Sequence, residues 1–148
     1  MHKRGRMDVL NRINILVVED TPVTREMITY LMKNSLNYGE NTEIFVAEAS
    51  TGSEALHKIR SIKFDLVVTD ISMPAKDGIG LVKDILDLNL LKKHQIMVLS
   101  GSILKEDVIL LKYYGVTNIV AKPFDLSSFL KNVTNMLELK KTISKTAA

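Results

Sequence analysis

Five short apolar runs, separated by stretches of helical periodicity, dominate the hydrophobic pattern of the chain. The first, residues 13–18 (INILVV), is rich in β-branched residues and uniformly apolar from Ile15, as expected of a strand buried on both faces. Thr21-Pro22 then opens a helix with proline in its first turn, where the missing N–H costs nothing. Met27, Ile28, Leu31 and Met32 mark its apolar side, and residues 37–41 break it. Residues 44–47 read as a second strand, and the turn at 50–53 leads into a helix carrying Ala55, Leu56 and Ile59. The third run, Leu66, Val67 and Val68, ends on Thr69 and Asp70. Met73-Pro74 keeps a helix from starting at once, and Asp77-Gly78 is a turn signal. Ile79, Val82, Ile85 and Leu86 then recur at helical spacing to about Leu88. Residues 95–99 make the fourth strand, closing on Ser100-Gly101-Ser102, and a helix around 105–114 stops at Gly115 as a left-handed cap. Residues 118–121 form the fifth strand and lead into Lys122-Pro123-Phe124. Asp125 N-caps the last helix, whose stripe is Leu126, Phe129, Leu130, Val133, Met136 and Leu137.

Strand alternates with helix five times, without repeats or low-complexity linkers. The pattern predicts an α/β fold, doubly wound, with a five-stranded parallel sheet, helices on both faces and right-handed crossovers. The carboxyl ends of the strands are polar: Glu19-Asp20 after the first, Asp70 after the third, Ser100 after the fourth and Lys122 after the fifth. In an open α/β sheet that edge is where ligands bind. Sheet packing alone does not call for three carboxylates, a hydroxyl and an ammonium at successive strand ends.

Composition narrows the class without changing it. A chain of 148 residues with 46% hydrophobic and 25% charged residues suits one soluble domain with its own core. No apolar run approaches the roughly 18 residues of a membrane span, and the basic start is not followed by a signal-peptide apolar region. The absence of cysteine excludes disulfides and thiolate-ligated metal and accords with a cytoplasmic location. His2, His57 and His94 lack metal-ligand spacing and read as surface residues.

The net charge of +3 is carried by the ends. Lys3, Arg4 and Arg6 lie before the first acidic residue, and Lys140, Lys141 and Lys145 after the last. Removing these six from the 20 basic residues leaves 14 against 17 acidic ones, a net of −3 for the body. A nucleic-acid reader would carry a basic patch within the fold, so no nucleic-acid partner is expected. The expected organisation is a basic leader at 1–12, a folded domain at 13–139 and a basic polar tail at 140–148, solvated and frayed at both ends.

Brought to one sheet edge, Glu19, Asp20 and Asp70 repel one another unless a cation is present. An all-oxygen set suits a hard ion, and Mg²⁺ binds through a few carboxylates while keeping waters. An aspartate beside Mg²⁺ and a lysine is an arrangement for a carboxylate nucleophile that forms an aspartyl phosphate. Metal and Lys122 would offset charge on the phosphoryl oxygens while Ser100 donates a hydrogen bond.

These residues, in this order and spacing, resemble the receiver domain of two-component response regulators, especially the stand-alone chemotaxis type. The likeness spans about residues 13–139 and rests on Glu19-Asp20, Arg25, Asp70 with Met73-Pro74 and Asp77-Gly78, Ser100-Gly101, and Lys122-Pro123-Phe124. The resemblance implies the strand order 2-1-3-4-5. It implies Asp70 as phosphoacceptor and Mg²⁺ ligand, Asp20 as a direct ligand, Glu19 as a ligand mainly through water, and Ser72 as a ligand through its carbonyl. It further implies that Ser100 contacts the phosphoryl group and moves on activation, and that Lys122 pairs with the phosphoryl oxygens and precedes Pro123 through a cis bond. The implied donor is a sensor histidine kinase or a histidine phosphotransfer protein. The implied output is a phosphorylation-dependent contact with a protein target on the helix 4–strand 5–helix 5 face, with self-catalysed dephosphorylation and no independent substrate. One position departs: where the family often places a switching aromatic, three residues before the lysine, this chain has Ile119, stiffer at its β-branch.

Two other readings fit the residues less well. Ser50-Thr51-Gly52-Ser53 resembles a flavodoxin phosphate loop, but it follows the second strand, and few aromatics are present to stack a flavin. A receiver that docks without being phosphorylated would not need Glu19, Asp20, Asp70, Ser100 and Lys122 together. Residues 108–111 are apolar all round, more than one helix face buries, which points either to a partner surface on the fourth helix or to a broader core contact. Tyr113 and Tyr114 read as helix packing and surface.

Overall fold

The computed structural model describes residues 11–36, 38–73, 78–102 and 104–147, with side chains through Glu138. Within these residues the strands are β1 (Asn11–Val18), β2 (Thr42–Ala49), β3 (Leu66–Asp70), β4 (Ile96–Ser100) and β5 (Ile119–Ala121). They alternate with α1 (Pro22–Ser35), α2 (Gly52–Ser61), α3 (Gly78–Asp87), α4 (Lys105–Tyr114) and α5 (Leu126–Ala147). The sheet is parallel throughout, in the order β2-β1-β3-β4-β5. Pro74 and Asp77, the helix stop and turn former of the sequence, lie outside the described residues, as does most of the basic leader.

Alternation along the central strands divides the core between two faces. Ile15, Val17, Leu66, Val68, Met97 and Leu99 pack against Ile28 and Met32 of α1 and Phe129, Val133 and Met136 of α5. Their neighbours Leu16, Val18, Val67 and Val98 pack on the other face against Ala55 and Ile59 of α2, Leu81 and Ile85 of α3, and Leu111 of α4. The continuous apolar runs of β1, β3 and β4 follow from this, because both faces of each strand are covered.

Local chemistry sets the helix ends. Thr51 Oγ1 accepts from Glu54 N–H at 3.0 Å at the start of α2, and Asp125 Oδ2 accepts from Ser128 N–H at 2.9 Å at the start of α5. Gly115 ends α4 with φ +81° and donates its N–H to the carbonyls of Leu111 and Lys112.

Several boundaries shift from the sequence expectation. β1 starts at Asn11, and β2 runs from Thr42 to Ala49 rather than over 44–47, because the two strands pair along their whole length from Asn11–Thr42 to Val18–Ala49. β4 starts at Ile96 rather than 95. Gln95 ends a 3₁₀ turn, Lys93–Gln95, in which its side chain accepts from Lys92 N–H at 2.9 Å and donates to Asp65 O at 3.2 Å. α3 ends at Asp87, one residue before Leu88, and α5 continues to Ala147, past the expected end of the fold at Leu139. On α1 the buried set is Ile28, Thr29 and Met32, while Met27 is exposed.

Candidate functional site

Four strand ends build one edge. β1 ends beside β2, where Glu19 N–H donates to Ala49 O at 3.0 Å, so Glu19 and Asp20 leave the sheet next to β3. β3 ends on Asp70, and Ile71 N–H donates to Leu99 O at 3.1 Å, which carries the backbone past β4. β4 ends on Ser100, whose carbonyl accepts from Lys122 N–H at 2.7 Å. The Lys122–Pro123 peptide is cis.

One carboxylate oxygen each from Glu19, Asp20 and Asp70 lies within 4.8 Å of the others. Glu19 is 1% exposed and Asp70 is buried. Lys122 Nζ bridges the cluster, 2.7 Å from Glu19 Oε1 and 3.0 Å from Asp70 Oδ2. The second oxygens have backbone donors: Thr21 N–H reaches Glu19 Oε2 at 3.1 Å, and Ser72 N–H reaches Asp70 Oδ1 at 2.9 Å. Burial pushes the Glu19 carboxyl above its ordinary value, against the pull of Lys122 and the Thr21 N–H. Burial also acts to lower Lys122, but its hydrogen bonds to Glu19 and Asp70 outweigh that and hold the ammonium above its ordinary value. Lys122 is thus a fixed positive charge at neutral pH.

The Ser100 hydroxyl is buried and has no hydrogen-bond partner among the described residues. An unmet buried hydroxyl costs free energy, so a ligand oxygen placed against it is favoured. The three carboxylates form a hard-oxygen set that fits a small divalent cation, and the residues accord with a receiver-domain metal site. Ser72 is exposed next to Asp70. Ile119 is half-buried, pairs with Val98 in register and packs against the α2–α3–α4 side of the core.

Two contributions were not legible as functional in the sequence. Gly78, read there as part of a turn and as one element of the receiver resemblance but given no role at the site, lies so close to Asp70 that a Cβ would sit 2.2 Å from the Asp70 carbonyl oxygen and 2.5 Å from Ile71 Cα. Only glycine lets α3 start against the backbone of the acidic loop. The other is Glu48 on β2, whose Oε1 accepts from Arg25 Nε at 3.0 Å, while Arg25 Nη1 donates to Glu19 O at 2.7 Å. Asp77-Gly78 signalled the first as a turn and a family motif without its contact to Asp70, and an acid inside a strand gave no signal for the second.

Ser50–Ser53 is occupied by its own helix. Thr51 caps α2, and Glu54 Oε1 accepts from Ser50 N–H at 2.7 Å and from Ser50 Oγ at 3.1 Å. A carboxylate therefore stands on the donors that a flavin phosphate would need.

The chain matches the response regulator receiver domain over residues 15–134. It belongs to that family. The chemotaxis protein CheY-3 of Vibrio cholerae is 30% identical over 131 residues, covering 88% of this chain and 96% of that protein. Hybrid signal transduction histidine kinase D of Dictyostelium discoideum is 30% identical over 138 residues, which are 93% of this chain but 8% of that protein. Among solved structures, the chemotaxis protein CheY4 of V. cholerae superposes with a TM-score of 0.73 at 26% identity, covering 84% of this chain and 98% of that one. A response regulator receiver from Pseudomonas putida gives 0.71 at 27% identity, over 84% and 97% of the two chains. The receiver fold with its acidic edge thus places the chain in two-component signal transduction, where a histidine kinase is the source of phosphoryl groups. No helix among the described residues is long and apolar enough to cross a membrane.

Proposed function

We propose that this receiver accepts a phosphoryl group on Asp70 from a phosphohistidine donor, with Mg²⁺ bound, and thereby changes its affinity for a partner protein. The observation that carries the reading is Asp70 at the end of β3, with Lys122 Nζ 3.0 Å from its Oδ2 and the Glu19 and Asp20 carboxylates alongside. Asp70, Asp20 and the Ser72 carbonyl would hold the ion directly, and Glu19 through water. When bound, the ion neutralises charge on the phosphoryl oxygens.

The chain's own residues supply the remainder. An Asp70 carboxylate oxygen attacks phosphorus as the P–N bond to the donor imidazole breaks. The bond's electron pair returns to the imidazole nitrogen, and the product is an acyl phosphate on Asp70. Lys122, released from Asp70 Oδ2, donates to a phosphoryl oxygen, and the unpartnered Ser100 hydroxyl donates to another. Water later attacks the phosphorus, the P–O bond to the Asp70 carboxylate breaks with its electron pair returning to Asp70, and inorganic phosphate leaves.

The donor has an approach beside the lysine. Thr24, Met27, Lys122, Pro123, Phe124 and Leu126 line a cleft of about 460 Å³ between α1 and the start of α5. Output is assigned to α4, β5 and α5. Ile109 and Leu110 of α4 are 59% and 42% exposed, so the apolar excess of residues 108–111 faces solvent apart from Leu111 and half-buried Val108.

Incubation with a small phosphodonor and Mg²⁺ tests the assignment. The wild-type chain should gain the mass of one phosphoryl group in a form that hydroxylamine cleaves, and Asp70→Asn should gain none. Modification persisting in Asp70→Asn would move the acceptor elsewhere.

A further inference from the structure

Among the described residues, Arg25 is the guanidinium tied directly to the acidic edge, through the Glu19 carbonyl, and the phosphoryl-transfer reading leaves it without a task. It lies in the first turns of α1, where a positive charge opposes the helix dipole, so the helix itself gives no reason for arginine. Its guanidinium is largely enclosed, with 17% of the side chain exposed, and it holds two partners at once. Nη1 donates to the carbonyl of Glu19 at 2.7 Å, and Nε donates to Glu48 Oε1 at 3.0 Å. Glu48 sits near the end of β2 and is held in turn, because Lys58 Nζ of α2 donates to its carbonyl oxygen. Lys58 also pairs with Glu54 at 3.6 Å.

The carbonyl that Arg25 grips belongs to the peptide joining Glu19 to Asp20. That peptide sets where both carboxylates leave β1, and beyond it the chain turns at once into α1. The preceding peptide, which joins Val18 to Glu19, is anchored by the Glu19 N–H bond to Ala49 O, also on β2. The two bonds therefore clamp the Glu19 backbone to β2 from its two polar groups, one directly and one through a planar fork.

We propose that Arg25, braced by Glu48, is a positioning residue for the divalent-cation site: it fixes the Glu19–Asp20 peptide so that the two carboxylates meet Asp70. The inference rests on the metal reading above and extends it to a residue that touches neither metal nor phosphoryl group. Partners that orient ligands without touching the metal typically change affinity 10–100-fold when removed.

The sign of the effect separates this role from simple electrostatics. Arg25 is a positive charge near a cation site, so removing it as a charge alone would tighten Mg²⁺ binding. Removing it as a clamp weakens binding. Mg²⁺ titration of wild type, Arg25→Met, Arg25→Lys and Glu48→Gln, at low and at high salt, is the experiment. Arg25→Met should bind roughly tenfold more weakly than wild type at both salt concentrations. Arg25→Lys, which keeps the charge but loses the two-armed fork, should also weaken binding. Glu48→Gln should weaken it less, in the same direction, with the loss persisting at high salt, where a long-range charge effect is screened.

Unchanged or tighter binding by Arg25→Met would overturn the positioning role while leaving the metal reading intact. Failure of the wild-type chain to bind Mg²⁺ would overturn both. Should Arg25→Met fail to fold, Arg25→Lys and Glu48→Gln decide: wild-type affinity in both rejects the clamp.

Discussion

Lys122 is the side chain on which the resting site turns. It stands between Glu19 and Asp70 at hydrogen-bond distance from each, a place that a divalent cation would contest. In Lys122→Met the three carboxylates face one another without a counter-ion. Removing one partner of a fully buried pair costs about 3–5 kcal/mol. Here the lysine keeps 24% of its side chain exposed, so the expected loss is smaller, roughly 2 kcal/mol. That loss should appear in denaturant unfolding in EDTA and shrink in Mg²⁺, with Mg²⁺ bound more tightly than by wild type. Lys122→Arg keeps the charge, and metal affinity should stay close to wild type. Phosphorylation should still fail or slow, because a wide planar fork needs a different geometry from a compact ammonium. Wild-type phosphorylation of Lys122→Arg, followed by intact mass, would remove the lysine from the chemistry.

At the scale of elements, caps and relays behave differently. Thr51 caps α2 through the Glu54 N–H, and Thr51→Ala should cost about 1 kcal/mol in denaturant unfolding. The Glu54 carboxyl is held below its ordinary value of 4.5 chiefly by the Ser50 N–H bond. Between that lowered value and 4.5 the unfolded chain binds the more protons, so stability rises with pH there. The contribution is full above 4.5 and is lost as pH falls through the folded value. Glu54→Gln should therefore lower stability at pH 7 and flatten the acid limb of the stability profile.

The proposed relay from the site would run through longer pieces. Nearly complete switching of a two-state protein needs about 5.5 kcal/mol of differential affinity. Charge-assisted bonds from Ser100 and Lys122 to a phosphoryl group supply roughly 1.5–3 kcal/mol each, close to the requirement without excess. Ser100 leads into α4, and Lys122 follows the strand that holds Ile119. Hydrogen exchange with and without a phosphoryl mimic should change chiefly over residues 100–119. Ile119→Ala should alter partner affinity more than phosphorylation rate. Changes confined to residues 27–59 would point to another route.

At the scale of the whole molecule, the proposed metal would be coupled to stability, because the Glu19, Asp20 and Asp70 carboxylates follow two different strands and meet only when the sheet is formed. At a hundred times its dissociation constant, Mg²⁺ should stabilise the fold by about 2.7 kcal/mol. Thermal unfolding should show this for wild type and lose most of it in Asp20→Asn. Much of this molecule was legible in its sequence. The uninterrupted apolar runs of β1, β3 and β4, the Gly115 stop, the Asp125 cap and the polar strand ends are local patterns, readable without knowledge of the fold. They sufficed for the alternating α/β architecture and for nominating Glu19, Asp20, Asp70, Ser100 and Lys122. Strand lengths escaped, because β2 is extended by pairing with β1, and Gln95 is drawn out of β4 by its bonds to Lys92 and Asp65. The Arg25–Glu48 clamp and the need for glycine at 78 escaped for the same reason. Each depends on how closely two segments 23 or 8 residues apart approach in space. The distances come from the packed sheet and no residue carries them alone, so the sequence determined which chemical groups reach the edge, and tertiary packing decided which of them touch.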